Sequence, residues 1–215
     1  MGRVSLTIDN GPDPHVTPEV LHVLARKSVT ATFFVVGERV AEPGGEALLT
    51  EITEAGHRIG NHSWSHDVQF GASPTATAVQ DEVARTAELL APWAGIPPLF
   101  RPPGGGGRLD EHLLSEALID YLCREAFTCV LWNVVPGDWE DLDGWVDRAI
   151  GELNRREWSV VVVHDTISGN AERIASFIDR ARAEGHEFVA ELCPDCLPIV
   201  AGRITQDLSK LTSPS

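Results

Sequence analysis

The sequence predicts an α/β protein on a parallel sheet, curled into a small or incomplete barrel more than spread as an open sheet. Three observations predict it. Short strand-like runs alternate with helix-periodic stretches along the chain, giving six or seven βα units within 215 residues. One run, Ser159-Val160-Val161-Val162-Val163, is apolar without a break, the pattern of a strand buried on both faces. Polar clusters fall just after strands, where α/β folds place their sites.

Each element has a local reason. Val4-Ser5-Leu6-Thr7-Ile8 alternates and then meets Asp9-Asn10-Gly11-Pro12, a strand ending in a turn. Thr17 reads as an N-cap with Pro18 at the first helical position, ahead of Val20, Leu21, Val23 and Leu24. Residues 30–36 read as a strand, 46–55 as a helix stopped by Gly56, and 57–61 as a short strand before a His-rich turn. A helix is expected over 75–90 and a loop over 93–98. Arg101-Pro102-Pro103 with the glycines 104–107 can only be a loop. Helices are expected over 111–126, 143–154 and 170–184, strands over 128–132 and 188–190, and a frayed polar tail after Gly202. The domain is expected to span 1–203, with 204–215 as that tail.

Composition narrows the function. Lys+Arg is 17 and Asp+Glu is 32, a formal charge of −15. That argues against nucleic acid and against anionic lipid, both of which call for a basic face. No apolar run reaches the roughly 18 residues of a membrane span, and the first residues lack the basic and apolar regions of a secretory signal. The expectation is a cytoplasmic protein with no membrane partner. The four cysteines, Cys123, Cys129, Cys193 and Cys196, are too few for a disulfide framework and read as reduced thiols.

Several polar residues could carry chemistry. His62-Ser63-Trp64-Ser65-His66 spaces two imidazoles four apart, which on one helical turn would let both rings reach one metal ion. Asp9 and Asn10 close the first strand and could supply a ligand or a base, or simply an Asx turn. His164 ends the most buried strand and is a candidate acid. Asp138-Trp139 could hold a histidine, and Arg101, on a stiff Pro-Pro backbone, could pair a carboxylate. Singly, each has an ordinary structural reading. Together they suggest metal-assisted hydrolysis.

Over residues 4–192 the chain resembles the polysaccharide deacetylase family, also called the NodB-homology family or carbohydrate esterase family 4. The family's first motif appears as Thr7-Ile8-Asp9-Asn10-Gly11-Pro12 and its second as His62 through His66. The third appears as Arg101-Pro102-Pro103-Gly104, the fourth as Asp138-Trp139, and the fifth as the apolar strand ending at His164. The resemblance implies a distorted, incomplete (β/α) barrel of the NodB type. It implies Asp9 as general base, His62, His66 and position 10 as metal ligands, and His164 as general acid. Arg101 would orient Asp9, Asp138 would tune His164, the Gly104 N–H would help stabilise an oxyanion, and Trp139 would line the pocket. Trp139 and Trp64 are expected to stack on a sugar. The cofactor implied is one divalent ion, with zinc first and cobalt or nickel also fitting.

The chain departs from the family at Asn10, where the family has a ligating Asp. A neutral His/His/Asn set is expected to bind metal more weakly, with Asp13 a distant substitute. Glycines 104–107 lower the cleft wall, and Val135 stands where an extra acid is common. The leading expectation is removal of an N-acyl group from an amino sugar or small glycan. The alternatives are hydrolysis of a small amide or cyclic imide, or a silent glycan-binding pseudoenzyme.

Overall fold

A computed structural model describes residues 2–72 and 75–212. In chain order the elements are β1 (Arg3–Asp9), α1 (Val16–Lys27), β2 (Ala31–Val35), α2 (Gly37–Ala41), α3 (Gly45–Glu54) and β3 (Arg58–Asn61). Next come α4 (Ala76–Val79), a π-helical turn (Gln80–Ala84), α5 (Arg85–Leu90), β4 (Leu99–Phe100), α6 (Glu116–Arg124) and β5 (Thr128–Cys129). Then follow α7 (Trp145–Leu153), β6 (Trp158–His164), α8 (Asn170–Ala183), β7 (Glu187–Phe188), β8 (Ile199–Val200) and β9 (Arg203–Ile204).

The sheet runs β6-β1-β2-β3-β4-β5-β8-β9, with β7 beside the start of β1. The strands from β1 to β7 pair in parallel, whereas β8 and β9 add antiparallel. The curl returns to β6 through an isolated bridge between Val134 and Val161. The result is a distorted, incomplete barrel, as the sequence predicts.

Alternation along the strands sorts side chains between two apolar clusters. Val4, Leu6 and Ile8 of β1 join Val161 and Val163 of β6 under α1 and α8, against Val20, Leu24, Ile174 and Phe177. Val160 and Val162 point the other way, into a cluster with Phe100, Cys129 and Leu131. The intervening positions of β1, Ser5, Thr7 and Asp9, are buried polar groups. Such groups need partners, and those partners build the site.

Several boundaries differ from the sequence reading. Helix α1 starts before Thr17, because Asp13 Oδ1 accepts the N–H groups of His15 (2.8 Å) and Val16 (2.9 Å). Thr17 Oγ1 instead accepts Asp13 N–H at 2.8 Å and donates to Asp165 at 2.6 Å. The stretch expected as one helix over 75–90 is helical from Ala76 to Leu90, with a π turn at Gln80–Ala84 inside it. The helix expected from 111 begins at Glu116, capped by Ser115 Oγ on Leu118 N–H at 3.3 Å. The tail is not frayed through Thr212. Arg203 lies in β9, Leu208 and Leu211 pack on the second cluster, and Leu114 N–H donates to Leu211 O at 2.8 Å. The four cysteines are free thiols, and burial pushes those of Cys129 and Cys196 up to about 12. Among the described residues no helix is long and apolar enough to cross a membrane.

Candidate active site

Parallel pairing brings the strand ends level. Asp9, last in β1, is the register partner of His164, last in β6, and Asn61, last in β3, is the partner of Phe100, last in β4. His62 and Arg101 therefore emerge side by side, and His62 Nδ1 meets the Arg101 carbonyl at 2.8 Å. A cavity of about 400 Å³ opens over these ends, lined by Asp9, Asn10, His62, His66, Trp139 and His164 among others. Its remaining wall includes Trp132, Val135 and the bare backbone of glycines 104–107.

Arg101 is fully buried beneath the cavity. Its Nη1 donates to Asp9 Oδ1 at 2.8 Å and to Thr7 Oγ1 at 2.7 Å. Nε and Nη2 donate to the carbonyls of Val130 (3.1 Å) and Leu131 (3.2 Å), and the guanidinium lies 4.1 Å from the Phe34 ring centroid. With Oδ1 occupied, Asp9 turns Oδ2 toward His62 Nε2, 3.6 Å away. This leaves one carboxylate oxygen fixed in direction without a short hydrogen bond of its own.

His164 is held as firmly. Its Nδ1 lies 2.7 Å from Asp138 Oδ1, and its backbone N–H donates to Asp138 Oδ2 at 2.8 Å. Asn170 Nδ2 donates to the same Oδ2 at 2.7 Å and is itself fixed by Trp145 Nε1 on its Oδ1 at 3.0 Å. The Nδ1–H to carboxylate bond leaves Nε2 for the cavity. Burial alone would lower the His164 pKa. The hydrogen bond and charge of Asp138, helped by Asp9 and Asp165, outweigh it, and the net shift is upward.

The two other histidines are driven the opposite way. Burial pushes His62 down to about 3, against an upward pull from Asp9, and burial also lowers His66. Both are neutral at pH 7, the form that donates a lone pair. Their ring centroids are 4.8 Å apart. The spacing does not come from a helical turn, as the sequence suggests. The segment after β3 is a loop, with Ser63 at φ 67° and His66 at φ 66°. Among the described residues no three His, Cys, Asp or Glu side chains are placed to hold one metal ion. A third side-chain donor beside the two imidazoles would be Asn10, which sits at φ 78° and whose Oδ1 is buried without a hydrogen-bond partner. A buried acceptor left open in this way suits a cation. Asp13 is used in capping α1 and does not line the cavity.

The other expected residues divide. Gly104 lines the cavity, and a Cβ there would come within 2.4 Å of the Trp132 ring, so only glycine fits. Trp139 is 42% exposed and stands edge-on to His164 at 5.2 Å. Trp64 is not in the cavity lining. It packs beside Gly37 with the Arg85 guanidinium 3.3 Å above its ring, so it is not placed to stack on a sugar in the cavity, contrary to the sequence expectation. Sequence reasoning missed Thr7, Asn170 and Glu82, which hold the functional side chains rather than face the cavity. Thr7 had a signal, since it shares Asp9's face two residues back on β1.

Residues 2–118 match the family model described as polysaccharide deacetylase. The chain belongs to the polysaccharide deacetylase family. It is 26% identical to a peptidoglycan-N-acetylglucosamine deacetylase of Bacillus cereus, over 86% of this chain and 84% of that one. It is 31% identical to the peptidoglycan-N-acetylmuramic acid deacetylase PdaC of Bacillus subtilis over 86% of this chain, but spans only 37% of that longer protein. Among solved structures it superposes with TM-score 0.69 and 28% identity on a family 4 acetyl xylan esterase from Clostridium thermocellum in complex with a cobalt ion, covering 87% of each chain. This polysaccharide deacetylase homologue is thus a hydrolase of the deacetylase class, acting on acyl amide or ester bonds.

Proposed function

We propose that this polysaccharide deacetylase homologue is a metal-dependent N-deacetylase of amino-sugar glycans. The observation that carries the reading is the pairing of Asp9 and His164 on neighbouring strand ends, each fixed by a dedicated partner. His62, His66 and Asn10 would hold a divalent ion, zinc or a similar metal. When bound, such an ion supplies Lewis acidity to the acyl carbonyl oxygen. Asp9 Oδ2 is the oxygen free to take a proton from water, because Arg101 occupies Oδ1. His164 Nε2–H then protonates the departing nitrogen. An amine leaves poorly without that proton, so an acid whose pKa Asp138 raises favours an amide over an ester substrate. Gly104 lines the cavity, where its backbone N–H would help stabilise an oxyanion, and the exposed Trp139 would offer a surface for a pyranose. The B. cereus and B. subtilis relatives are named for N-acetyl amino sugars, which supports this substrate class.

The test is zinc content by elemental analysis together with acetate release from N-acetylglucosamine oligosaccharides. About one equivalent of metal, with both metal and turnover lost in His62→Ala, is the expected outcome. Turnover that survives chelation would overturn it. Asn10→Asp restores a charged ligand and should tighten zinc binding about tenfold or more. Unchanged affinity would remove position 10 from the ligand set.

The His164 assignment predicts a pH effect. The acid must be protonated, so activity falls as pH rises through its raised pKa. Asp138→Asn removes the largest upward influence, leaving Asp9 and Asp165 as the remaining charges that raise it. The alkaline limb of kcat should therefore move to lower pH. An unmoved limb would reject His164 as the acid.

A further inference from the structure

The loop that carries His62 and His66 is gripped from outside the cavity by a buried carboxylate. Glu82, only 8% exposed, sits in the π turn Gln80–Ala84 between α4 and α5. Its Oε2 accepts the N–H groups of Trp64 (2.9 Å) and Ser65 (2.8 Å), and its Oε1 accepts Ser65 Oγ–H at 2.9 Å. The same turn offers the Val83 carbonyl to Asn61 Nδ2 at 2.9 Å, and Asn61 Oδ1 in turn accepts Ser63 N–H at 2.9 Å. A π turn inserts a residue into the helical register and re-aims the side chains around it. Here it presents an anion to successive N–H groups of a loop that has two residues in the left-handed region, Ser63 and His66. Neither is glycine, so that backbone needs holding. The loop's other edge is tied by backbone bonds, Gly37 N–H to Ser63 O and Glu38 N–H to Trp64 O, each at 3.0 Å.

We propose that Glu82 is a positioning residue for the imidazole pair, clamping the backbone between His62 and His66 so that both rings face one ion. The inference rests on the metal-site reading above. Charge-assisted bonds to backbone N–H groups are the strong kind, and an outer carboxylate that orients ligands is worth roughly 10–100-fold in metal affinity. Without it, two N–H groups would lose their acceptor, and the rotation of the loop that follows would separate the rings.

The experiment titrates zinc into metal-free wild type, Glu82→Gln and His62→Ala by calorimetry, and records the visible spectrum of each cobalt(II) form. Gln has one acceptor oxygen for three donors, so Glu82→Gln should bind about one zinc at least about tenfold more weakly. Its cobalt spectrum should change in intensity, since the ligands are re-aimed. Wild-type affinity and an unchanged cobalt spectrum would overturn the clamp alone. A wild type that takes up no zinc, or a His62→Ala variant that binds as well as wild type, would overturn the metal-site reading and the clamp with it. If Glu82→Gln does not fold, Ser65→Ala removes only the Oγ bond to Oε1. It should weaken zinc about threefold, and no change would reject the proposal.

Discussion

Replacing Asp9 by asparagine is expected to lower kcat by about 100- to 10,000-fold, the usual worth of a positioned general base. The substitution is nearly isosteric. The amide oxygen can still accept Arg101 Nη1, which now lies 2.8 Å from Oδ1. What changes is the free oxygen. Oδ2, 3.6 Å from His62 Nε2, becomes an NH2 group unable to accept a proton. KM should change much less than kcat, because Asp9 lies at the cavity floor, 3% exposed, and as the proposed base it would act on the reacting atoms rather than along a glycan. The measurement is acetate release under saturating and limiting substrate, with zinc content checked in parallel. A variant that keeps its zinc and retains kcat within tenfold of wild type would dismiss Asp9 as the base.

Much of this site was legible in the sequence, and the reason is geometric. Parallel strands align their C-terminal ends, so residues that follow strands in the sequence converge in space. That places Asp9, His62 and His164 around one cavity, with Arg101 beneath it, and no long-range knowledge is required. The legible part ends where a contact depends on a partner that sequence spacing does not specify. The His62–His66 spacing invites a helical turn, yet the loop gets its shape from left-handed backbone at Ser63 and His66 and from Glu82, about twenty residues on. Trp64 sits inside a site motif but turns outward, because Gly37 leaves room for its ring and Arg85 covers it. The segment after Gly202 is polar on average, yet Leu208 and Leu211 pack on the second cluster and backbone bonds from Leu114 and Thr205 tie it down. Helix starts were misplaced for a related reason. Thr17 has a hydroxyl fit for capping, but a buried carboxylate at Asp165 claims it.

Arg101→Leu should destabilise the protein by roughly 3–5 kcal/mol, the loss typical when one partner of a buried ion pair is removed. The argument lies in what the guanidinium satisfies. It is fully buried and donates to a carboxylate, a hydroxyl and two carbonyls, so its removal leaves four acceptors short of a donor and Asp9 buried without a counter-charge. Lysine is not a conservative replacement. A single ammonium cannot span Asp9, Thr7, Val130 and Leu131 as the planar fork does, nor lie flat against Phe34. Arg101→Lys is therefore expected to lose more than about 1 kcal/mol despite keeping the charge. The decisive comparison adds Asp9→Asn to Arg101→Leu. Removing the stranded carboxylate should recover part of the lost stability, a coupling of about 1–3 kcal/mol between residues in direct contact. Urea unfolding of the four proteins measures it. Additive losses would show that the two side chains stabilise the fold independently, and that Asp9 takes its fixed direction from the strand end rather than from Arg101.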